Sequence, residues 1–476
     1  MHNQITKLIL FQSYLKEPIW DPERISRGTR KMLKWLSYII LFVSLLTVKS
    51  LGDEKQLSLK DAIQIALENN HDIRAFKNSL YAQNDEIGIA RSALLPKISL
   101  EEGLIRTDNP TSVFSIKLNQ ERFSQSDFQI SSLNNPSPIN NFQTSLSFEQ
   151  PVFEMKANLG LKTAKNEFLA KNEEFIRKKE EITFKVIQTY VTVQTAKEYV
   201  RVAEKAIEEA KEHLRIANSR YKSGLGLYSD TLRASTAVTE EEQRLVSATK
   251  DLNVSKRALG LLLGMSESID TTAEFPEIPV RDISYYMDKS SSRKDIESMK
   301  LGYENAKNNV RVAESGYLPT VGIGGSYQLD DHNAPFGAEG NNWNIMAFLR
   351  WNLFDGTRRE YEMAKAKYEA AQMEEGLSGL KKAVSFTVYE SYLGVEESRK
   401  NIELAEAALK TAEEGRRLVE LRYKGSLSPL VDLLDAQVNL DRSRANLVAR
   451  KNEYEIAVAR LNFESGTILQ DLGIEE

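Results

Sequence analysis

The 476-residue chain contains no cysteine. That excludes a disulfide framework, thiolate metal sites, thiol catalysis and an acylated N-terminal cysteine, so no lipid anchor is expected. Histidine is scarce as well. His2, His71, His213 and His332 are scattered, with no His-Glu-x-x-His or matched carboxylate spacing, so neither a metal site nor a cofactor is expected. Gly224-Leu-Gly226 is no phosphate loop, because no strand precedes it and no third glycine follows. Enzyme classes are therefore poorly served. The net charge of -5 offers nucleic acid no basic surface. Beyond the N-terminal region, no apolar run reaches the roughly 18 residues of a membrane-spanning helix. Proline is absent throughout 154–222 and 356–424.

The N-terminal region, residues 1–52, has a distinct pattern. Arg27, Arg30, Lys31 and Lys34 precede an apolar core from Leu36 to Val48, and Ser50-Leu51-Gly52 places small residues at the -3 and -1 positions. A basic segment, a short apolar core and a small-residue site read as a secretory signal, with an uncleaved membrane anchor as the alternative. Residues 1–31 fit poorly ahead of a signal, and translation is expected to start at Met32.

What the rest of the chain has is repetition. YKSGLGLYSDTLRAS, Tyr221 to Ser235, is echoed by YKGSLSPLVDLLDAQ, Tyr423 to Gln437. In both, an Arg-Tyr-Lys triplet leads into a Gly-containing turn, and an aspartate follows the tyrosine by nine residues (Asp230, Asp432). Leu94-Leu95-Pro96 matches Tyr317-Leu318-Pro319, and Pro151-Val152-Phe153 matches Asn352-Leu353-Phe354. Phe153 lies 77 residues before Asp230, and Phe354 lies 78 before Asp432. The halves differ mainly in a polar tract, Ser124 to Asn141, expected to be a long surface loop. Two structural repeats are expected, 53–264 and 294–465, joined by a linker at 265–293 and followed by a tail at 466–476.

Between strand and turn, each half carries a sustained 3-4 apolar repeat. In the first, Val186, Tyr190, Val193, Ala196, Val200, Ala203, Ile207, Ala210, Leu214, Ala217 and Tyr221 follow it; in the second, Val388 to Tyr423 do. This predicts two coiled-coil helices of roughly 100 Å at 1.5 Å per residue. Each turns at a tip (222–230 and 424–431) and returns as a half-length helix, Leu232–Leu263 and Val431–Phe463. Further half-length helices, Leu59–Ala93 and Lys294–Gly316, would stack end to end with them. Tyr221 is expected to be a seam-filling core residue. Four segments alternate with period two: about 97–109, 141–153, 320–330 and 343–355. They fit either a soluble sheet or tilted outer-membrane strands. Four strands close no water-filled barrel, and an open edge does not sit in lipid, so membrane strands would require at least three chains per barrel.

The two-copy order of helix, Leu-Pro, strand hairpin, long helix, Tyr-x-x-Gly turn, Asp and Leu-x-Ala resembles the TolC family of outer-membrane efflux ducts across nearly the whole mature chain. The resemblance implies an α+β membrane protein: a trimeric 12-stranded β-barrel, four strands per chain, continued by a long α-helical coiled-coil barrel across the periplasm. It also implies partners, namely a periplasmic adaptor and an inner-membrane pump or ABC transporter, and a passive conduit for drugs, metals or proteins. A periplasmic coiled-coil adaptor or tether without a pore is the alternative. Asp432 and Asp435 match the family's acidic constriction, and Asp230 and Ser229 match positions that latch the closed tip onto Tyr423. Where the family latch has an arginine, this chain has Ser428, so Arg233 is expected to supply the cation. Gly224 matches the turn glycine thought to receive the adaptor. In the second copy Gly425 comes one place early and Ser426 holds that position. Asp432, close after Ser-Pro, also suits a plain helix-capping role.

Overall fold

A computed structural model describes residues 56–272 and 279–474. The signal-like segment, the Met32 start and residues 273–278 of the expected linker lie outside the described residues. Two very long helices organise the rest: α5 (Met155–Lys222) and α9 (Arg358–Lys424). With no proline inside, each carries an unbroken hydrogen-bond ladder for roughly 100 Å. The return helices are α6 (Tyr228–Leu262) and α10 (Leu430–Ser465), and the shorter ones are α1 (Leu59–Asn69), α2 (His71–Ser92), α7 (Ile283–Ser290) and α8 (Lys294–Ser315). α2 lies along the strand-proximal part of α5, where Phe76 stacks on Phe175 and Gln83 reaches Glu167. α6 lies along the other end of α5, so the half-length helices do line the rod in succession. The expected first helix is two, because Asn70 leaves helical geometry and its side chain accepts the Asp72 and Ile73 N–H groups.

The main core sits where the rods are girdled by short elements. β1 (Gln56–Leu57) pairs parallel with β4 (Asp270–Thr271), a pairing too short to show as alternation in the sequence. Beneath it Ile63, Ile182, Val186, Ile187, Tyr190, Leu259 and Leu263 pack together, and the Tyr190 hydroxyl donates to Leu57 O at 3.0 Å. Gly260 must be glycine here, since a Cβ would fall 2.0 Å from Glu267 O. The expected tail is part of this core: in α11 (Ile468–Asp471), Ile468 and Leu469 are fully buried.

At the other end of α5 and α9 stands one antiparallel sheet in the order β2-β3-β5-β6, made of Lys97–Thr107, Ile139–Phe153, Thr320–Asp331 and Gly340–Arg350. Its register sorts the faces. Leu100, Leu146, Tyr327 and Trp343 form one row, and Ile98, Phe148, Gly325 and Ile345 the next. The opposite face carries Ser99, Ser145, Ser147, Gln143, Ser326, Gln328 and Asn344, with Ser99 hydrogen-bonded to Ser147 and Asn344 donating to Ser326. Pro151 is tolerated in an inner strand because the β3–β5 register shifts there.

Two strand-region expectations need correction. β6 ends at Arg350, not 355. The Arg359 guanidinium takes the carbonyls of Asn352, Leu353 and Gly316, and the left-handed pair Gly356 and Thr357 turns the chain into α9, so Trp351 and Leu353 lie beyond the sheet. The polar tract between β2 and β3 is no open loop. α3 (Pro110–Asn119), a 3-10 turn (Gln125–Phe128) and α4 (Ile130–Asn134) gather around Phe114, Phe123 and Phe128. There the Lys117 ammonium, aided by Ser124, holds the Asp127 carboxyl at about 2. The buried Gln120 amide donates to Asn140 O and Asn141 Oδ1, and Asn141 donates to Asp330, so this insertion is tied to the polar face of the sheet.

Candidate functional site: the paired helical tips

The two tips share one geometry. In the first, Leu225 N–H bonds to Arg220 O and Gly224 N–H to Tyr221 O; in the second, Leu427 N–H bonds to Arg422 O and Ser426 N–H to Tyr423 O. This closes each long helix with a left-handed residue. Gly224 holds that place at φ +73°, and Ser426 holds it at φ +61°, while Gly425 is an ordinary cap. A Cβ on Gly224 would meet nothing, so the first tip presents open backbone at its surface.

The tyrosines reverse the expectation. Tyr423 is 3% exposed, packed with Ala217, Ala234, Leu430 and Leu433, whereas Tyr221 is 47% exposed against Tyr228. Sequence position alone makes them equivalent; which one the neighbouring hairpin covers decides. Within the chain the Tyr423 hydroxyl makes no hydrogen bond to Asp230 or Ser229. Burial raises its pKa, and the nearby Asp230 charge adds to that while Arg220 opposes it. Ser229 is exposed and Asp230 half-buried in the first turn of α6.

Within the protomer, the cation that links the two tips is Arg220. It donates to Tyr423 O at 2.8 Å and Ser426 Oγ at 2.9 Å on the second hairpin, with a longer contact to Lys424 O at 3.4 Å. It also donates to Leu225 O of its own turn at 3.2 Å and lies 4.8 Å from the Tyr423 ring centre. Arg233 is exposed and has no side-chain partner among the described residues. Arg220 stood in the quoted Arg-Tyr-Lys triplet, but its partners lie 203 to 206 residues away and no spacing reveals them. Ser428 donates to Asp432 Oδ2 at 2.8 Å. Asp432 therefore does sit as a helix-start acid, in the first turn of α10, and Asp435 is exposed one turn on.

A second link, also unforeseen, lies about two to three turns further from the tip. Arg444 grips both carboxylate oxygens of Glu209 at 2.8 and 3.1 Å, and Gln437 bridges Glu209, Asp441, Arg416 and His213. Burial pushes Glu209 up, but Arg444 outweighs it and leaves the carboxyl below its ordinary value. Burial likewise pushes the His213 imidazole down, and raises both Glu241 and Asp441.

Comparison with known proteins decides the family. The model of the family described as "Outer membrane efflux protein" matches residues 62–265 and 288–467. The chain belongs to that family. The outer membrane efflux protein BepC of Brucella suis is 22% identical over 88% of this chain and 87% of its own. The alkaline protease secretion protein AprF of Pseudomonas aeruginosa is 21% identical over 92% and 89%. The solved structure of the outer membrane protein VceC from Vibrio cholerae superposes with a TM-score of 0.71 at 18% identity, over 86% of this chain and 96% of that one. The efflux family is one of channels rather than an enzyme class, and this member is an outer-membrane exit duct. No helix among the described residues is long and apolar enough to cross a membrane.

Proposed function

We propose that three copies of this chain close one 12-stranded barrel in the outer membrane, that their helices form a periplasmic tunnel, and that the tunnel is gated at the paired tips. The observation that carries this is the sheet. One face is mainly apolar across all four strands and the other mainly polar, with Ile105, Met346 and Phe348 among the exceptions on the polar side and Glu102 among those on the apolar side, and among the described residues the outer edges of β2 and β6 have no partner strand. Open edges are untenable in lipid, and pairing β2 of one copy with β6 of the next removes them. Two copies would give eight strands, whose interior fills with side chains; three leave a bore.

Asp432 and Asp435, exposed and one turn apart on α10, then form two carboxylate rings at the narrow end. Arg220 joins the two hairpins within each chain, and Tyr423 supplies the packed pivot. Gly224, Gly425 and Ser426 form the surface offered to a periplasmic adaptor. Energy comes from an inner-membrane pump or ABC transporter. A relative named for alkaline protease secretion favours proteins beside small molecules as cargo. Two hairpins and a sheet with a lipid-suited face count against a pore-less tether.

Single-channel recording of the purified protein in a planar bilayer tests this. Small cation-selective steps are expected in wild type, with selectivity weakened in Asp432→Asn/Asp435→Asn. Equal permeability to anions and cations in wild type would contradict the acidic constriction.

A further inference from the structure

Scattered histidines gave no sign of a metal site, yet folding gathers one such residue with two acids. β5 ends at Asp331 and β6 begins at Gly340, so the hairpin between them returns Glu339 beside His332. Ligand atoms of Asp331, His332 and Glu339 all lie within 4.8 Å of one another. Asp331 is held first. It is 8% exposed, and its Oδ1 accepts the N–H groups of Asn333 at 2.7 Å and Ala334 at 3.0 Å. A Cβ on Gly337 would fall 2.1 Å from Asp331 Oδ2, so glycine is what leaves this carboxylate its place. Glu339 is held by the His332 N–H, which donates to Oε2 at 3.1 Å.

The imidazole completes the set. His332 Nδ1 is shielded from solvent and lies in direct contact with Glu339 Oε1, 2.5 Å away. One ring nitrogen and two carboxylates converging within 4.8 Å make the donor set of a divalent-cation site. We propose that Asp331, His332 and Glu339 bind a divalent cation of the zinc class at the tip of the β5–β6 hairpin. One imidazole with two carboxylates suits Zn2+, Ni2+ or Co2+, whereas Mg2+ and Ca2+ take oxygen ligands. At metal–ligand distances near 2.0–2.1 Å, two ligands of a tetrahedral ion stand roughly 3.3 Å apart. His332 and Glu339 must therefore separate by somewhat under 1 Å to admit the ion. Both side chains are partly exposed, which leaves them room to do so, while Asp331 stays fixed. The hairpin lies at the end of the sheet away from the long helices, so a bound ion stiffens the mouth opposite the tips.

Calorimetric titration of the purified detergent-solubilised protein with ZnCl2 decides the matter, with cobalt absorption as a second readout. One saturable site per chain is expected, insensitive to excess Mg2+. Affinity should fall at least tenfold in His332→Ala and in Glu339→Gln, and stay unchanged in Asp432→Asn/Asp435→Asn. Glu339→Gln keeps size and shape, so it serves if His332→Ala misfolds. The proposal is overturned if Zn2+ binding vanishes with the tip aspartates instead. It is equally overturned if both hairpin variants bind as tightly as wild type, which would leave His332 and Glu339 a simple ion pair.

Discussion

Replacing Arg220 with alanine removes the side chain that ties the first tip to the second. Two well-formed charge-assisted hydrogen bonds cross between hairpins, to Tyr423 O at 2.8 Å and Ser426 Oγ at 2.9 Å. Such bonds to a charged group are worth about 1.5–3 kcal/mol when well shielded, and the half-exposed tip argues for the lower end or less, about 1 kcal/mol each. The guanidinium over the Tyr423 ring adds about 0.5–1 kcal/mol. If opening separates the hairpins, the closed state loses about 2–3 kcal/mol per chain, a roughly 30- to 150-fold shift in the closed-to-open ratio. Planar-bilayer recording should therefore show Arg220→Ala with a higher resting conductance and longer open dwells. Arg233→Ala should behave as wild type, because its side chain has no partner among the described residues. An Arg220→Ala channel as closed as wild type, beside an Arg233→Ala channel that stands open, would refute this reasoning and place the decisive cation between subunits.

Two other tests address the seam and the sheet. Because burial holds the folded-state pKa of His213 below its unfolded value, the unfolded chain takes up the proton first on acidification. The stability that neutral His213 contributes is complete above about pH 6.5 and is lost as pH falls toward the depressed folded value, at up to about 1.4 kcal/mol per pH unit and chain. Denaturant midpoints of His213→Gln should fall less than wild type between pH 7 and 5; parallel curves would count against it. On the sheet, Ile345→Arg should cost about 2–4 kcal/mol of stability in lipid, while Ser145→Lys on the polar face should cost little. Equal costs would mean that the two faces are not lipid and water.

Much of the scaffold was legible because it rests on local rules. The proline-free 3-4 repeats and the turn residues placed the ends of α5 and α9 within a few residues. Alternation placed all four strands and sorted their faces. What escaped depends on contacts distant in sequence or on short polar elements. The apolar alternation ran on through Trp351 and Leu353, but Arg359 captures the backbone carbonyls that would have continued β6. The Asn- and Ser-rich insertion hid short helices because its core is three phenylalanines rather than a periodic stripe. Tyr221 and Tyr423 are equivalent by repeat and opposite by burial. At the tips the sequence pointed to the acids, exposed at Asp432 and Asp435 and half-buried at Asp230, and not to Arg220 or Glu209, whose partners sit on the other hairpin.

The two links between hairpins differ in kind, and the difference bears on how the duct opens. Arg220 grips mainly backbone carbonyls, which remain after any side-chain change in the second tip, so this contact tolerates variation in its partner and breaks without leaving a buried charge. The Glu209–Arg444 pair is mostly shielded, with side chains 18% and 13% exposed, and is further bonded to Gln437 and Asp441. Separating it would strand charges that burial has stripped of water, a cost of about 3–5 kcal/mol when one partner is simply removed. The first motion that opens the tip should therefore release Arg220 while the Glu209–Gln437–Arg444 cluster holds. On that reading the cluster would be the hinge about which the tip-side turns swing. A proton added at His213, buried beside Gln437, would then strain the joint and not the latch.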